Sequence, residues 1–160
     1  MTPPQAAAAL FNTMPQPISG VQLEEYGIGA SEADTLQIAR EIVSLNLYWI
    51  LAAIDAHIPL KYRPAIRELL FEAVRTRWWE SGRLGTGTWD DYQQEVEERR
   101  AVYGRLVDEE GLSHMAVCAE AASRIEDQGS VSSEDRHKLL VLLIDYAPAA
   151  EYGKLLDEVG

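Results

Sequence analysis

Apolar side chains recur along this chain at intervals of three and four residues, the spacing that places them on one face of an α-helix. The clearest run lies within residues 31–57, where Leu36 and Val43 share one face while Ile38 and Trp49 occupy the opposite side. A helix that is apolar on two sides is normally buried between neighbouring elements. The pattern therefore predicts a long helix over residues 31–57, buried at the centre of the fold.

Local start and stop signals bound this helix and predict others. Ser31 can cap the free N–H groups of a first turn, and Pro59 disfavours helical geometry in the residue before it. Similar signals predict helices over 63–82, 88–111 and 113–127, a fifth from Ser132 or Ser133 through 139–144, and a short last helix opening at Pro148 and bearing Val159. No alternating apolar and polar segment indicates a β-sheet. The predicted fold is all-α, a single-domain bundle of five or six helices.

The first thirty residues differ from the rest in their proline and glycine content. Pro3, Pro4, Pro15, Pro17, Gly20, Gly27 and Gly29 all fall here. Proline removes N–H donors and glycine costs backbone entropy, so at most a short helix over 6–14 is expected. We predict an irregular N-terminal arm over residues 1–30, which packs on the body or stays mobile, followed by a helical domain over 31–160.

Composition narrows the class of protein. The 160 residues fit one domain, and the formal net charge of −12 disfavours direct nucleic-acid binding. The lone cysteine, Cys118, cannot form an internal disulfide, which fits a reducing compartment. No apolar run is long enough to span a membrane, and no positive charge precedes the short apolar stretch 6–11 as a secretory signal requires. We interpret the protein as cytoplasmic, without direct contact with nucleic acid or membrane.

The residue types that carry catalysis do not form a recognisable motif. His57, His114 and His137 each lie near a predicted helix end and lack metal-ligand spacing. Cys118 sits in an alanine-rich helix, where a buried structural thiol is expected. The Gly-Thr-Gly-Thr segment 85–88 lacks the lysine of a phosphate loop. No catalytic residue, metal or cofactor is predicted, and a non-enzymatic function is favoured.

The strongest binding signal lies at the end of the second helix. Its core stripe is formed by Ile66, Leu69, Leu70, Ala73 and Val74. Trp79 points roughly 220° away from Ile66, on the same outward side as Arg75, with Arg83 and Trp89 nearby in sequence. Tryptophan and arginine are enriched in interface hot spots. We predict a partner-binding site at Arg75, Trp79, Arg83 and Trp89, unless the N-terminal arm or the glycine loop covers Trp79.

Charge is unevenly distributed along the chain. Residues 61–83 hold six Lys or Arg and three Asp or Glu, whereas residues 89–135 hold thirteen acidic and four basic residues. A basic protein could dock on this acidic surface, and a homodimer would equally suit an exposed tryptophan. The leading hypothesis is an acidic helical protein–protein interaction module, with an adaptor, inhibitor or immunity-type, or assembly-chaperone role.

Polar residues inside the apolar stripes raise an alternative. Glu41, Tyr48 and Asp55 fall within about 60° of one another on the helix over 31–57. Helical bundles build sites from such inward-facing side chains, so these three are candidates to line a cavity that binds a small ligand or acts on it. The other interpretation is a strip that reaches water. Arg99 interrupts a later apolar stripe, where we expect it to snorkel outward rather than meet a carboxylate.

Overall fold

The computed structural model describes residues 1–111 and 113–157, so Val159 lies outside the described residues. These residues form helices and no strand, which confirms the all-α class. The α-helices are α1 Pro3–Thr13, α2 Gly20–Glu25, α3 Glu32–His57, α4 Arg63–Val74, α5 Trp89–Gly104, α6 His114–Asp127, α7 Arg136–Asp145 and α8 Ala149–Asp157. Two 3₁₀ turns, Leu60–Tyr62 and Ser133–Asp135, precede α4 and α7, and π-helical turns Arg75–Trp79 and Arg105–Glu109 extend α4 and α5.

The N-terminal segment is more regular than predicted. Thr2 caps α1 by accepting a hydrogen bond from the backbone N–H of Gln5, whose side chain accepts one from Thr2 in return. Ser19 and Gln22 form the same reciprocal capping box at α2. The short helix expected over 6–14 is present as α1 and begins earlier, at Pro3, whereas the prediction of an irregular arm was wrong over α2. In both helices the caps outweigh the cost of the surrounding prolines and glycines. Pro3 lies in the first turn of α1, where its missing N–H costs little.

Helix α3 contributes side chains to both apolar clusters of the core. It packs against α2, α4, α5, α6 and α8. Leu47 and Ile50 join the cluster that includes α1, α4 and α8, whereas Ile38 and Ile42 join the cluster that includes α6 and α7. Although α3 has 26 residues, neither it nor any other helix within the described ranges is long and apolar enough to cross a bilayer.

A buried asparagine joins α3 to the C-terminal helices. The Asn46 side-chain amide donates to the backbone oxygens of Ile42 at 2.9 Å and Tyr146 at 2.8 Å. Its Oδ1 accepts from the Tyr152 hydroxyl at 2.7 Å. The Asn46 NH₂ group, its Oδ1 and the Tyr152 hydroxyl therefore all have hydrogen-bond partners within the protein. This favours a single arrangement of α8 against α3.

Replacing Tyr152 with phenylalanine should lower the free energy of unfolding by about 1–3 kcal/mol, because Oδ1 of the buried Asn46 loses its hydrogen bond. Urea denaturation followed by circular dichroism measures this change. Tyr62→Phe is the matched control, since the Tyr62 side chain is exposed and its loss should change stability by less than about 0.5 kcal/mol. Equal effects of the two substitutions would contradict a role for this hydrogen bond.

Candidate functional site

The predicted site around Trp79 is an aromatic cluster closed by an arginine. The Trp79 ring is half-buried and stacks on Tyr92, with centroids 5.3 Å apart and planes at 17°. Trp89 meets it edge-on at 5.8 Å. The Arg40 guanidinium from α3 lies 5.3 Å from the Trp79 centroid and 5.1 Å from that of Tyr92. Much of the Trp79 surface is therefore engaged by its own chain.

Contacts on both sides hold Arg40 in this position. Its Nε donates to Glu95 of α5 at 2.6 Å, and its Nη1 donates to the Thr86 carbonyl of the glycine loop at 2.9 Å. Arg40, held by α5 and the glycine loop, is thus part of the cover over Trp79. Trp79 is half-buried rather than fully exposed, because Trp89 and Tyr92 of α5 and Arg40 of α3 pack against its ring.

The four predicted partner-binding residues are only partly brought together. Trp79 and Trp89 touch, whereas Arg75 and Arg83 are exposed and make separate contacts. The Nε of Arg75 lies 3.6 Å from a Glu80 carboxylate oxygen. Whether this group binds a partner stays a prediction.

The polar residues of α3 meet arginines of α5. Glu41 is 1% exposed and its carboxylate accepts from Arg99 Nη2 at 2.5 Å and Nε at 3.1 Å. Gln128 Nε2 donates to the same carboxylate at 3.1 Å. Asp55 accepts from Arg100 Nη2 at 3.0 Å and also pairs with Arg67. The outward snorkelling expected of Arg99 is wrong, because this side chain is buried against Glu41.

This arrangement does not gather the three candidate cavity residues around one small ligand. Glu41 and Asp55 are 14 positions apart on α3, which is about 21 Å along a helix. Tyr48 lies between them, and its buried ring contacts Trp49 at 4.9 Å and Tyr103 at 5.5 Å. A small molecule cannot touch both carboxylates, so the stripe joins α3 to α5 by ion pairs and aromatic contacts.

Cys118 and the histidine beside it lie in an environment that disfavours their charged forms. Cys118 Sγ lies 3.7 Å from His114 Nε2, but burial raises the pKa of the thiol to about 11. Burial also lowers the pKa of His114, against a hydrogen bond to the Ala147 backbone that raises it. The pair is a neutral thiol and a neutral imidazole near pH 7 rather than a thiolate. Within the described ranges, no three His, Cys, Asp or Glu side chains are grouped as metal ligands.

A second candidate surface was not found from the sequence. Leu60, Tyr62 and Leu69 are 74%, 43% and 40% exposed, and Met1 is exposed as well. Tyr62 and Met1 line one cavity, whose lining also includes Pro59, next to Leu60, and Ile66, one helical turn before Leu69. We call the four exposed residues Met1, Leu60, Tyr62 and Leu69 the apolar face. The cavity has a volume of about 350 Å³ and is lined mainly by apolar side chains from α1, the 57–62 segment, α4 and α8, among them Met1, Pro3, Ala6, Ile58, Tyr62 and Leu156.

The apolar face escaped prediction for two reasons. Leu69 fits the core stripe of α4 by its spacing, yet it is exposed because the helix buries a narrower face, formed by Ile66, Leu70 and Val74. Leu60 lies in a turn between two helices, where periodicity carries no information about burial. One sequence feature does point to this surface: no charged side chain occurs over 1–23. Helix α1 is therefore uncharged, although the chain as a whole is acidic.

Comparison of this chain with protein-family models, with curated proteins and with solved structures gives no match.

Proposed function

We propose that this chain is a non-enzymatic protein–protein interaction module whose partner docks on the apolar face. The observation that carries the proposal is the set of four large apolar side chains exposed beside or near an apolar cavity, on a chain with a net charge of −12. Exposed apolar side chains grouped at a cavity are typical of interaction sites. The cavity volume suits one large side chain of a partner, the anchor-and-pocket arrangement of interface hot spots.

The charges beside the apolar face define the chemistry of the partner. The Lys61 ammonium lies 4.9 Å from the Tyr62 ring centroid and forms no ion pair with the residues that the structure describes. Arg63 is directed inward, where it donates to the carbonyls of Ile58 at 2.7 Å and Asp55 at 2.8 Å. We therefore propose a partner segment that places an apolar side chain in the cavity and a carboxylate near Lys61, whose local attraction adds specificity.

The acidic surface of α5 and α6 is a weaker candidate. Glu95 pairs with Arg40, Glu98 with Arg124, and Glu126 with Arg136. Each of these three carboxylates would have to exchange a formed contact for a new one to bind a basic partner. A basic partner on this surface stays a prediction from the charge pattern.

Selection of peptides from a random displayed library on the immobilised protein tests the apolar face directly. We expect enriched peptides to combine a large apolar residue with Asp or Glu. Leu60→Asp should weaken their binding by a factor of about ten or more, because it places a charge at the apolar contact and repels the peptide carboxylate. Val21→Asp is the matched control, since Val21 is a 69% exposed apolar residue of α2, and it should leave affinity within about twofold.

Two results would contradict the proposal. One is a selection without enrichment, or enriched peptides whose binding Leu60→Asp leaves unchanged. The other is a homodimer in sedimentation velocity that Leu60→Asp dissociates and Val21→Asp does not, because the occupant of the face would then be a second copy of this chain.

A further inference from the structure

A second cavity, at the opposite end of α1 from the apolar face, brings together two arginines. It has a volume of about 220 Å³, and its lining includes the side chains of Asn12, Gln16, Arg77, Trp78 and Arg83. Arg77 and Arg83 are exposed, and neither has an Asp or Glu oxygen within 4.0 Å among the residues that the structure describes. Arg75, in the same π-helical turn as Arg77, does pair with Glu80.

The backbone holds these groups together. Gly82 adopts a φ of 77°, which glycine tolerates, and its N–H donates to the Trp79 carbonyl at 3.0 Å. This turn lets the Arg83 N–H donate to the Trp78 carbonyl at 3.0 Å. Arg83 Nη2 also lies 3.5 Å from the Pro17 carbonyl. The backbone thereby places Arg83 beside the turn that carries Arg77.

Two aromatic side chains form part of the cavity lining. Trp78 is buried, and its ring lies 4.6 Å from that of Phe11 in α1. This aromatic pair, in which Trp78 is buried and Phe11 half-buried, belongs to the same cavity lining as Arg77 and Arg83. The cavity therefore differs from a pair of independent surface arginines.

The donor set defines what the cavity would take. In a chain with 26 acidic and 14 basic residues, carboxylates are plentiful, yet these two arginines are left without one. Each guanidinium offers five N–H donors and no acceptor, and the Asn12 and Gln16 amides can donate as well. We propose that this cavity binds an oxyanion of the carboxylate or phosphate class, whose geometry matches the planar guanidinium fork. The proposal does not depend on partner docking at the apolar face.

Nuclear magnetic resonance of the arginine Nε–Hε groups in the full chain tests this inference. Sodium phosphate and sodium acetate are titrated at constant ionic strength, with sodium chloride as the reference. We expect saturable shifts of the Arg77 and Arg83 Nε–Hε resonances and of the Trp78 indole. Arg83→Gln or Arg77→Gln should weaken binding by a factor of about ten or more, since each removes charge-assisted hydrogen bonds.

Arg75→Gln is the matched control, because it removes a nearby exposed arginine that already has a carboxylate partner, and it should leave the affinity within about twofold. An acetylated tetraglutamate peptide identifies the source of the oxyanion: tighter binding than acetate indicates a protein segment, and equal or weaker binding indicates a free anion. Either result supports the site. Shifts that stay linear and match those in chloride, or saturable shifts that Arg77→Gln and Arg83→Gln leave unchanged, would overturn it.

Discussion

Replacing Arg99 with methionine should lower the free energy of unfolding by about 3–5 kcal/mol. The substitution leaves the Glu41 carboxylate buried, at 1% exposure, with Gln128 as its remaining hydrogen-bond donor. An uncompensated buried charge costs more than the ion pair itself contributes. Urea denaturation at pH 7 measures the loss, and Arg105→Met, at an exposed position without a described ion pair, should change stability by less than about 0.5 kcal/mol.

The surrounding charges explain why the pair is stable when intact. Burial disfavours the Arg99 guanidinium, but hydrogen bonds and charge from Glu41 and Glu98 outweigh burial and raise its pKa. Burial raises the pKa of the Glu98 carboxyl group, but hydrogen bonds and charge from Arg99 and Arg124 outweigh burial, so the pKa is lowered. The network therefore alternates positive and negative groups from α3 through α5 to α6.

The double variant Glu41→Leu/Arg99→Met removes both charges of the ion pair and keeps side chains of similar volume. Two apolar side chains of similar volume leave no buried charge, so the double variant should recover most of the stability that Arg99→Met loses. A loss below about 1 kcal/mol for Arg99→Met, or no recovery in the double variant, would show that the ion pair does not join α3 to α5 in solution.

The helices after residue 30 could be predicted because their signals are local. Ser31 and Thr88 cap α3 and α5, accepting hydrogen bonds from Asp34 and Asp91 N–H groups, each at 3.1 Å. The capping boxes of α1 and α2 are just as local, and they were missed because proline and glycine content was given more weight. Capping residues are therefore better evidence for short helices in this chain than composition.

The candidate sites depend on tertiary contacts, which periodicity does not determine. A helical wheel marks Glu41 and Arg99 as polar interruptions of apolar stripes, but it cannot show that the two lie opposite each other across α3 and α5. It also ignores the rise along the helix, which separates Glu41 from Asp55 by about 21 Å. At Trp79 the wheel likewise cannot show that Tyr92 of α5 and Arg40 of α3 pack against the ring.

Replacing Trp79 with alanine should lower the free energy of unfolding by about 2–3 kcal/mol. Truncating a fully buried tryptophan costs about 3–5 kcal/mol, and Trp79 is half-buried. The variant loses the stacking on Tyr92 and leaves Arg40 with one aromatic ring instead of two. Urea denaturation of the variant measures the cost, and Arg75→Ala in the same turn, at an exposed position, should cost less than about 0.5 kcal/mol.

The same variant separates the two roles open to Trp79. A loss of stability without a loss of peptide binding would make Trp79 a structural residue, and the apolar face would be left as the docking surface. Unchanged stability with weakened peptide binding would instead support the partner-binding site predicted from the sequence, which comprises Arg75, Trp79, Arg83 and Trp89. Because Arg40 reaches this cluster from α3 and is held by Glu95 of α5, we expect the first outcome: Trp79 completes the packing of α3 against α5 and the glycine loop.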